Sequence, residues 1–366
     1  MRTLGTRDSF FDFITADRLY FTAFLFLFCC ACMIVMIYVH LYRKKRRYFN
    51  RQYIESILDE WIGAAIIEPS VEGWHVHVTP ELLDEFEKEH NRQIAIDQLI
   101  NTKKNLLGEA SENIVRLYMQ LNLQRDSYKK MKSLIWHKKA KGIYELYMMG
   151  QEDIQDEIFK YTNSQNEYVR MEAQTAIIGF QGFKGLTFLG PLTESLVDWQ
   201  QIKLIEQLKP LDPDLNAAQL SSWLHSSNDY VIVFALKLAE IYQQFYAHDI
   251  AAQKLSSSND RVRRQAILTL ANIAGDHTAA LLVAQYAKET PQNKKVILQN
   301  LTSIATDNEL PFLLQELENE DDQVKLDVSR VLYKGYSSGS ELLAQKAQQS
   351  PAPYEAILKH VKSEVV

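Results

Sequence analysis

Residues 258–270 read Ser258-Asn259-Asp260-Arg261-Val262-Arg263-Arg264-Gln265-Ala266-Ile267-Leu268-Thr269-Leu270. Asn and Asp near the start suit a helix N-terminus: a side-chain oxygen accepts from free backbone N–H groups, and acids meet the positive end of the helix dipole. Val262, Ala266 and Leu270 then recur at every fourth residue, the spacing of one apolar helix face. Stepping by 31 residues through Val262 reaches positions 169, 200, 231, 262, 293 and 324, with Val169, Val231 and Val324 among them. The neighbours keep this phase. Three residues upstream stand Asn166, Asn228, Asn259 and Asp321, and two upstream Glu167, Asp198, Asp229, Asp260 and Asp322. Four downstream stand Ala173, Leu204, Ala235, Ala266, Ile297 and Val328, and eight downstream Ile177, Leu208, Ala239, Leu270, Leu301 and Leu332. A weaker earlier copy places Gly142, Leu146 and Met149 in the same register.

Each copy predicts a first helix, a polar turn such as Gly275-Asp276-His277, and a second apolar helix such as Ala279–Ala287 or Leu310–Leu317. Two short helices cannot bury their apolar faces alone, so the copies must stack. The stretch Asn259–Leu270 resembles the first helix of a HEAT-like repeat, with its acid, Val-Arg and Ala positions. Asn166-Glu167-Tyr168-Val169-Arg170-Met171-Glu172-Ala173 matches equally well, Asp321–Lys325 matches with Lys for Arg, and the copies at 200 and 293 share only the apolar phase. The resemblance implies an all-α fold, an α-solenoid of about six HEAT-like helix pairs over residues 134–366. It also implies that the second helices line a concave partner-binding side, where Gln285, Lys288, Gln315 and Glu318 are the candidate contacts. The recurring Asp and Arg are expected to form capping and ion-pair ladders between repeats.

The N-terminal region is of another kind. Residues Tyr20 to Val39 carry no charge. At ~1.5 Å per residue such a run crosses a hydrocarbon core of ~30 Å. Residues 19–42 are therefore predicted to be a single transmembrane helix, with Tyr20, Tyr38 and Tyr42 at its interfacial ends. Arg43, Lys44, Lys45, Arg46, Arg47 and Arg51 follow it. By the positive-inside rule they place residues 1–18 outside and 43–366 in the cytosol of a plasma or inner membrane. The same bases are the candidate contacts for anionic lipid headgroups. The three cysteines, Cys29, Cys30 and Cys32, all lie in this run, so the remaining chain has no disulfide.

Residues 43–133 are expected to form a basic juxtamembrane and helical connector. Its first helix runs to about Ile67, with Tyr53, Ile57, Trp61 and Ala64 on one face. Thr79 is the predicted N-cap of a further helix that starts at Pro80, and a break falls near Gly108. His75 and His77 stand without the Cys, Asp or Glu cluster that would complete a metal site. Lys129, Lys130, Lys132, Lys138, Lys139 and Lys141 form a basic stretch around Trp136.

Few motifs carry chemistry. Gly335-Tyr336-Ser337-Ser338-Gly339 has nucleophile-elbow spacing, but that elbow needs a preceding strand, and here it falls in a turn between two helices. Some HEAT-like enzymes hold iron with His-Glu pairs; no His in this chain is followed by Glu. The formal net charge of −6 excludes a nucleic-acid binder steered by bulk positive charge. The expectation is a cofactor-free, non-enzymatic scaffold or accessory subunit of a membrane complex, bound to a protein in the same membrane. One specific version puts it beside a membrane-embedded glycosyltransferase or polysaccharide export system, a partner that no residue reads directly. The alternatives are an enzyme with its site in residues 68–133 and an anionic-lipid-binding regulator.

Overall fold

The structure, a computed structural model, describes residues 16–67, 78, 80–209 and 215–364; His75, His77 and Thr79 lie outside the described residues. It divides into two compact units, Met1–Lys129 and Lys130–Val366. Among the described residues there are helices and no strands.

In the first unit, α1 (Ala16–Ile67) runs unbroken from the apolar stretch into a packed core. It is followed by α2 (Pro80–Phe86), α3 (Glu89–Lys103), α4 (Glu109–Gln120) and α5 (Gln124–Met131), the last reaching into the second unit. The far end of α1 packs on α3 and α4. Its buried face is Ile54, Leu58, Trp61 and Ile62, whereas Tyr53 and Ala64 are exposed. The expected stripe is thus displaced by one residue: the wholly apolar face turns inward, and Tyr53 keeps its hydroxyl in water. The expected break is at Gly108, whose φ of 60° lies in the left-handed region that glycine adopts freely.

The second unit is the solenoid. Its first helices are α6 (Trp136–Met148), α8 (Glu167–Gln181), α9 (Asp198–Leu208), α11 (Asp229–Ile241), α13 (Asp260–Asn272), α15 (Pro291–Ile304) and α17 (Asp322–Gly335). Their starting residues are each 31 apart. Between them lie the second helices α7 (Gln155–Phe159), a 3-10 helix at Gly182–Leu189, α10 (Ala217–Leu224), α12 (His248–Lys254), α14 (Thr278–Tyr286), α16 (Leu310–Leu317) and α18 (Gly339–Gln349). Seven pairs are therefore described, with α19 (Pro351–Ser363) after the last. Successive first helices pack on one another from α6 to α9 and again from α11 to α17, and between α9 and α11 Asp198 pairs with Lys237. The positions four and eight after the Val position are buried in every repeat, from Gly142 and Leu146 to Val328 and Leu332. The repeats form a HEAT-like α-solenoid.

The polar motif residues stitch the stack together. Asn166, Asn228, Asn259 and Asp321 each cap a first helix through a side-chain oxygen. Asn259 Nδ2 also donates to Asp229 of the preceding repeat at 2.7 Å, and Thr290 Oγ1, at the same register one repeat on, donates to Asp260 at 3.1 Å. The Arg after the Val position reaches back into the loop before its own helix: Arg170 donates to the carbonyls of Ser164 and Gln165, and Arg263 to those of Ser257 and Ser258. Where Val is replaced, Asn293 is buried and donates to Asp260 and Glu289.

The first unit contains the same arrangement out of phase. Arg92 donates to the carbonyls of Phe86 and Glu87, again six and five residues back. Asn91, Ala95 and Leu99 are buried at the positions that follow from it. The helix α3 therefore repeats the first-helix chemistry of the solenoid, within a region expected to be a connector.

Candidate functional site

An open groove of about 1010 Å³ lies across the outward faces of α9, α11 and α13. Residues at i, i+3 and i+7 share a helix face. On α11 these are Tyr230, Val233 and Lys237, and on α13 they are Arg261, Arg264 and Leu268; all six line the groove. Gln201 and Asp198 contribute from α9. Val233, Tyr230 and Leu268 form an apolar floor, buried or half-buried, while Arg261 and Arg264 stand exposed on the rim. Asp198 is paired with Lys237 at 3.4 Å, and Asp229 accepts from Asn259. Among the described residues, neither Arg261 nor Arg264 has an acidic partner, so the groove carries uncompensated positive charge at its α13 end. Gln265, also in the lining, donates through Nε2 to Glu240 at 2.6 Å. Burial pushes the Glu240 carboxyl above its ordinary range, against the opposing effects of that bond and of Lys237.

The groove is part of a longer stripe. Tyr168, Trp199 and Tyr230 occupy the same register on α8, α9 and α11, and Arg261 succeeds them on α13. Three residues on stand Met171, Ile202 and Val233, succeeded by Arg264 and Lys295. Trp199 and Ile202 are 48% and 55% exposed, values that a core side chain never shows. Tyr168 stacks on Trp136 at 5.2 Å between ring centroids. The outer face thus changes from aromatic and aliphatic to basic along the array. Large exposed apolar side chains arranged in a row mark interaction surfaces.

The candidate contacts from sequence fall elsewhere. Gln285 is half-buried between repeats, donating to the Leu255 carbonyl at 3.1 Å and to Glu289 at 2.7 Å. Lys288 and Gln315 are exposed, and Glu318 is paired with Lys346. These four residues do not line the groove. In the basic stretch, Lys130 and Lys141 pair with the buried Glu145, Lys132 pairs with Glu157, and Lys139 lies over the Tyr161 ring at 4.5 Å.

At the other end of the chain, the apolar window of α1 has a mean hydropathy of 2.6 and is 0% buried. This is the one helix among the described residues long and apolar enough to cross a membrane. Arg43, Lys44, Lys45, Arg46 and Arg47 are all exposed just beyond it. Arg51 is tied to Glu55 at 2.6 Å, and that partner raises its pKa. Ser337 sits in the turn between α17 and α18, with a helix where a nucleophile elbow requires a strand. Among the described residues, no three His, Cys, Asp or Glu side chains gather as metal ligands.

No protein-family model and no curated protein matches the chain. Among solved structures, it is similar to a chain from work on tubulin recruitment and assembly by microtubule polymerases with tumor overexpressed gene (TOG) domain arrays. The identity is 15%, over 72% of this chain and 70% of that one, with a TM-score of 0.24. At that score the solenoid assignment rests on the helix pairs themselves.

Proposed function

We propose that the chain is a membrane-anchored, protein-binding scaffold, an accessory subunit of a membrane complex rather than an enzyme. The observation that carries this reading is the uncharged run Tyr20–Val39, whose hydropathic window finds no protein surface to bury against. Water is a poor solvent for such a helix and a bilayer core a good one. Tyr38, Tyr42 and the bases 43–47 are the side chains expected at an interface with anionic headgroups. The Lys and Arg balance favours an external N-terminus with residues 43–366 in the cytosol of a plasma or inner membrane. The exposed side chains Tyr168, Trp199 and Ile202 on α8 and α9 supply a surface for a protein partner.

Alkaline carbonate extraction tests the anchor: the full-length chain stays with the membrane pellet, and its release into the supernatant would overturn the anchor. Capture of the full-length chain from native membranes in mild detergent, beside a Trp199→Glu/Ile202→Glu variant, tests the scaffold. A stoichiometric membrane partner lost in the variant supports it, and equal recovery with both chains removes the stripe from the interaction. Recovery of a glycosyltransferase or polysaccharide export protein would support that specific version of the complex.

A further inference from the structure

The partner-binding reading can be taken further along the groove, on which the following rests. We propose that the α9–α11–α13 groove binds an extended, acidic linear segment of a protein partner, with bulky apolar residues at one end and carboxylates at the other. Charge complementarity selects this occupant. The rim arginines Arg261 and Arg264 lie one turn apart on the exposed face of α13 and have no acid of their own among the described residues; of the groove's acids, Asp198 pairs with Lys237 and Asp229 accepts from the neutral Asn259 amide, so the lining keeps a small excess of positive charge. Two guanidiniums so placed present planar forks suited to paired carboxylates. Lys295 extends the basic end onto α15. At the other end, Trp199 and Ile202 stand exposed on α9 just outside the groove lining and offer apolar area without charge, and Tyr230 and Val233 within the lining continue toward Arg264.

The repeat spacing sets the register of the segment. α11 packs on α13, and α9 is joined to α11 by the Asp198–Lys237 pair; at about 8–10 Å for each packed step, α9 and α13 stand at least roughly 16–20 Å apart. An extended chain covers that distance in about five to six residues, at ~3.3 Å each. The segment therefore places its bulky apolar residue about six positions from its acids. The segment lies across the helices, so each successive repeat reads a different part of it.

The probe is a fluorescein-labelled synthetic peptide with Trp and Leu at one end and two Glu about six residues further on, titrated against the full-length chain in detergent micelles. Fluorescence anisotropy should show saturable binding that weakens as salt rises. Arg261→Glu/Arg264→Glu should weaken it by about tenfold or more, as reversing charges in a binding site does. Both side chains are exposed and without acidic partners, so the thermal midpoint of this variant should match wild type. Trp199→Ala should weaken binding of the same peptide, and Lys288→Glu, off the groove, should leave it unchanged. A peptide with Lys for Glu, or with the acids moved next to the Trp, should bind more weakly than the probe. Equal binding by wild type and the double variant, equal binding of the Lys peptide, or no binding by wild type would overturn the proposal. So would Arg261- and Arg264-dependent binding to phosphatidylserine vesicles in place of the peptide, because the site would then read lipid. If capture still recovers a membrane partner while the peptide result fails, the scaffold reading stands and only this occupant is lost.

Discussion

Arg263 Nε donates to Glu289 Oε1 at 2.9 Å and so joins the first helix of one repeat to the loop that opens the next. Glu289 also accepts from Gln285 and Asn293, and its carboxylate has no exposed side-chain surface. Removing one partner of a buried pair leaves the other charge uncompensated. Arg263→Ala should therefore cost about 3 kcal/mol, at the lower end of the range for such pairs because two other donors remain. Thermal or denaturant unfolding of the full chain measures it, and an unchanged midpoint would show that the ladder is ornamental.

The same carboxylate makes a prediction about acid. Burial alone would raise its pKa, but the bonds from Gln285, Asn293 and Arg263 outweigh burial and hold it below the ordinary range. Its folded pKa is thus depressed, so its stabilisation is present above the unfolded value of ~4.3 and is lost as pH falls through the folded one. Glu289→Gln should be less stable than wild type near neutrality, with the difference shrinking at acid pH. A constant difference across that range would contradict the linkage.

Two caps that look alike in sequence should differ in worth. Asn166 caps α8 through its side-chain oxygen. Asn228 caps α11 and also donates to the carbonyls of Leu192 and Glu194 at 3.0 Å each. Replacing a cap with Ala costs about 1 kcal/mol, and orphaning two further part-buried carbonyls adds roughly another 1. Asn228→Ala should therefore destabilise more than Asn166→Ala, as read by denaturant midpoints.

Gly339 stands where α18 meets α17. A Cβ there would lie 1.8 Å from the Leu332 carbonyl oxygen, a backbone atom that cannot swing aside. Gly339→Ala should cost roughly 2–3 kcal/mol through overpacking, seen as lowered unfolding and faster proteolysis at the last pair. Gly275→Ala, where the added atom meets nothing, is the control.

Tyr336 donates its hydroxyl to the Thr306 carbonyl at 2.6 Å. Burial, with Glu309 and Asp307 nearby, pushes its pKa up to about 12. The folded value is raised, so this contribution is whole below the unfolded value of ~10 and is lost as pH rises through the folded one. Spectrophotometric titration of Tyr336→Phe should lack one late-titrating phenol, and the variant should be less stable by about 1 kcal/mol near neutrality.

The 31-residue step through Val262 locates every first helix because the core positions are fixed by burial, and burial repeats wherever the stack repeats. The same arithmetic one residue earlier holds Tyr168, Trp199, Tyr230 and Arg261, so the outer stripe was written in the sequence too. It was not legible there, because periodicity separates inward from outward positions but does not say which outward positions a second helix covers. Gln285 shows the converse: an outward-seeming polar residue proves to be a tie between repeats. The copy in α3 escaped because Arg92 stands outside the 31-residue phase and Asn91 replaces the Val.

The continuity of α1 has a mechanical meaning. From Tyr42, at the edge of the apolar run, to Ile54, where α1 enters its core, the same helix rises about 18 Å without a break. A folded unit on such a stem has no slack tether. On the proposed anchoring, its standoff from a bilayer and its tilt would follow those of the apolar segment, leaving spin about the stem axis as the principal freedom. Any change in bilayer thickness or helix tilt would be delivered to α3 and α4 as a rigid displacement, as a mast passes the roll of a hull to whatever is fixed at its head.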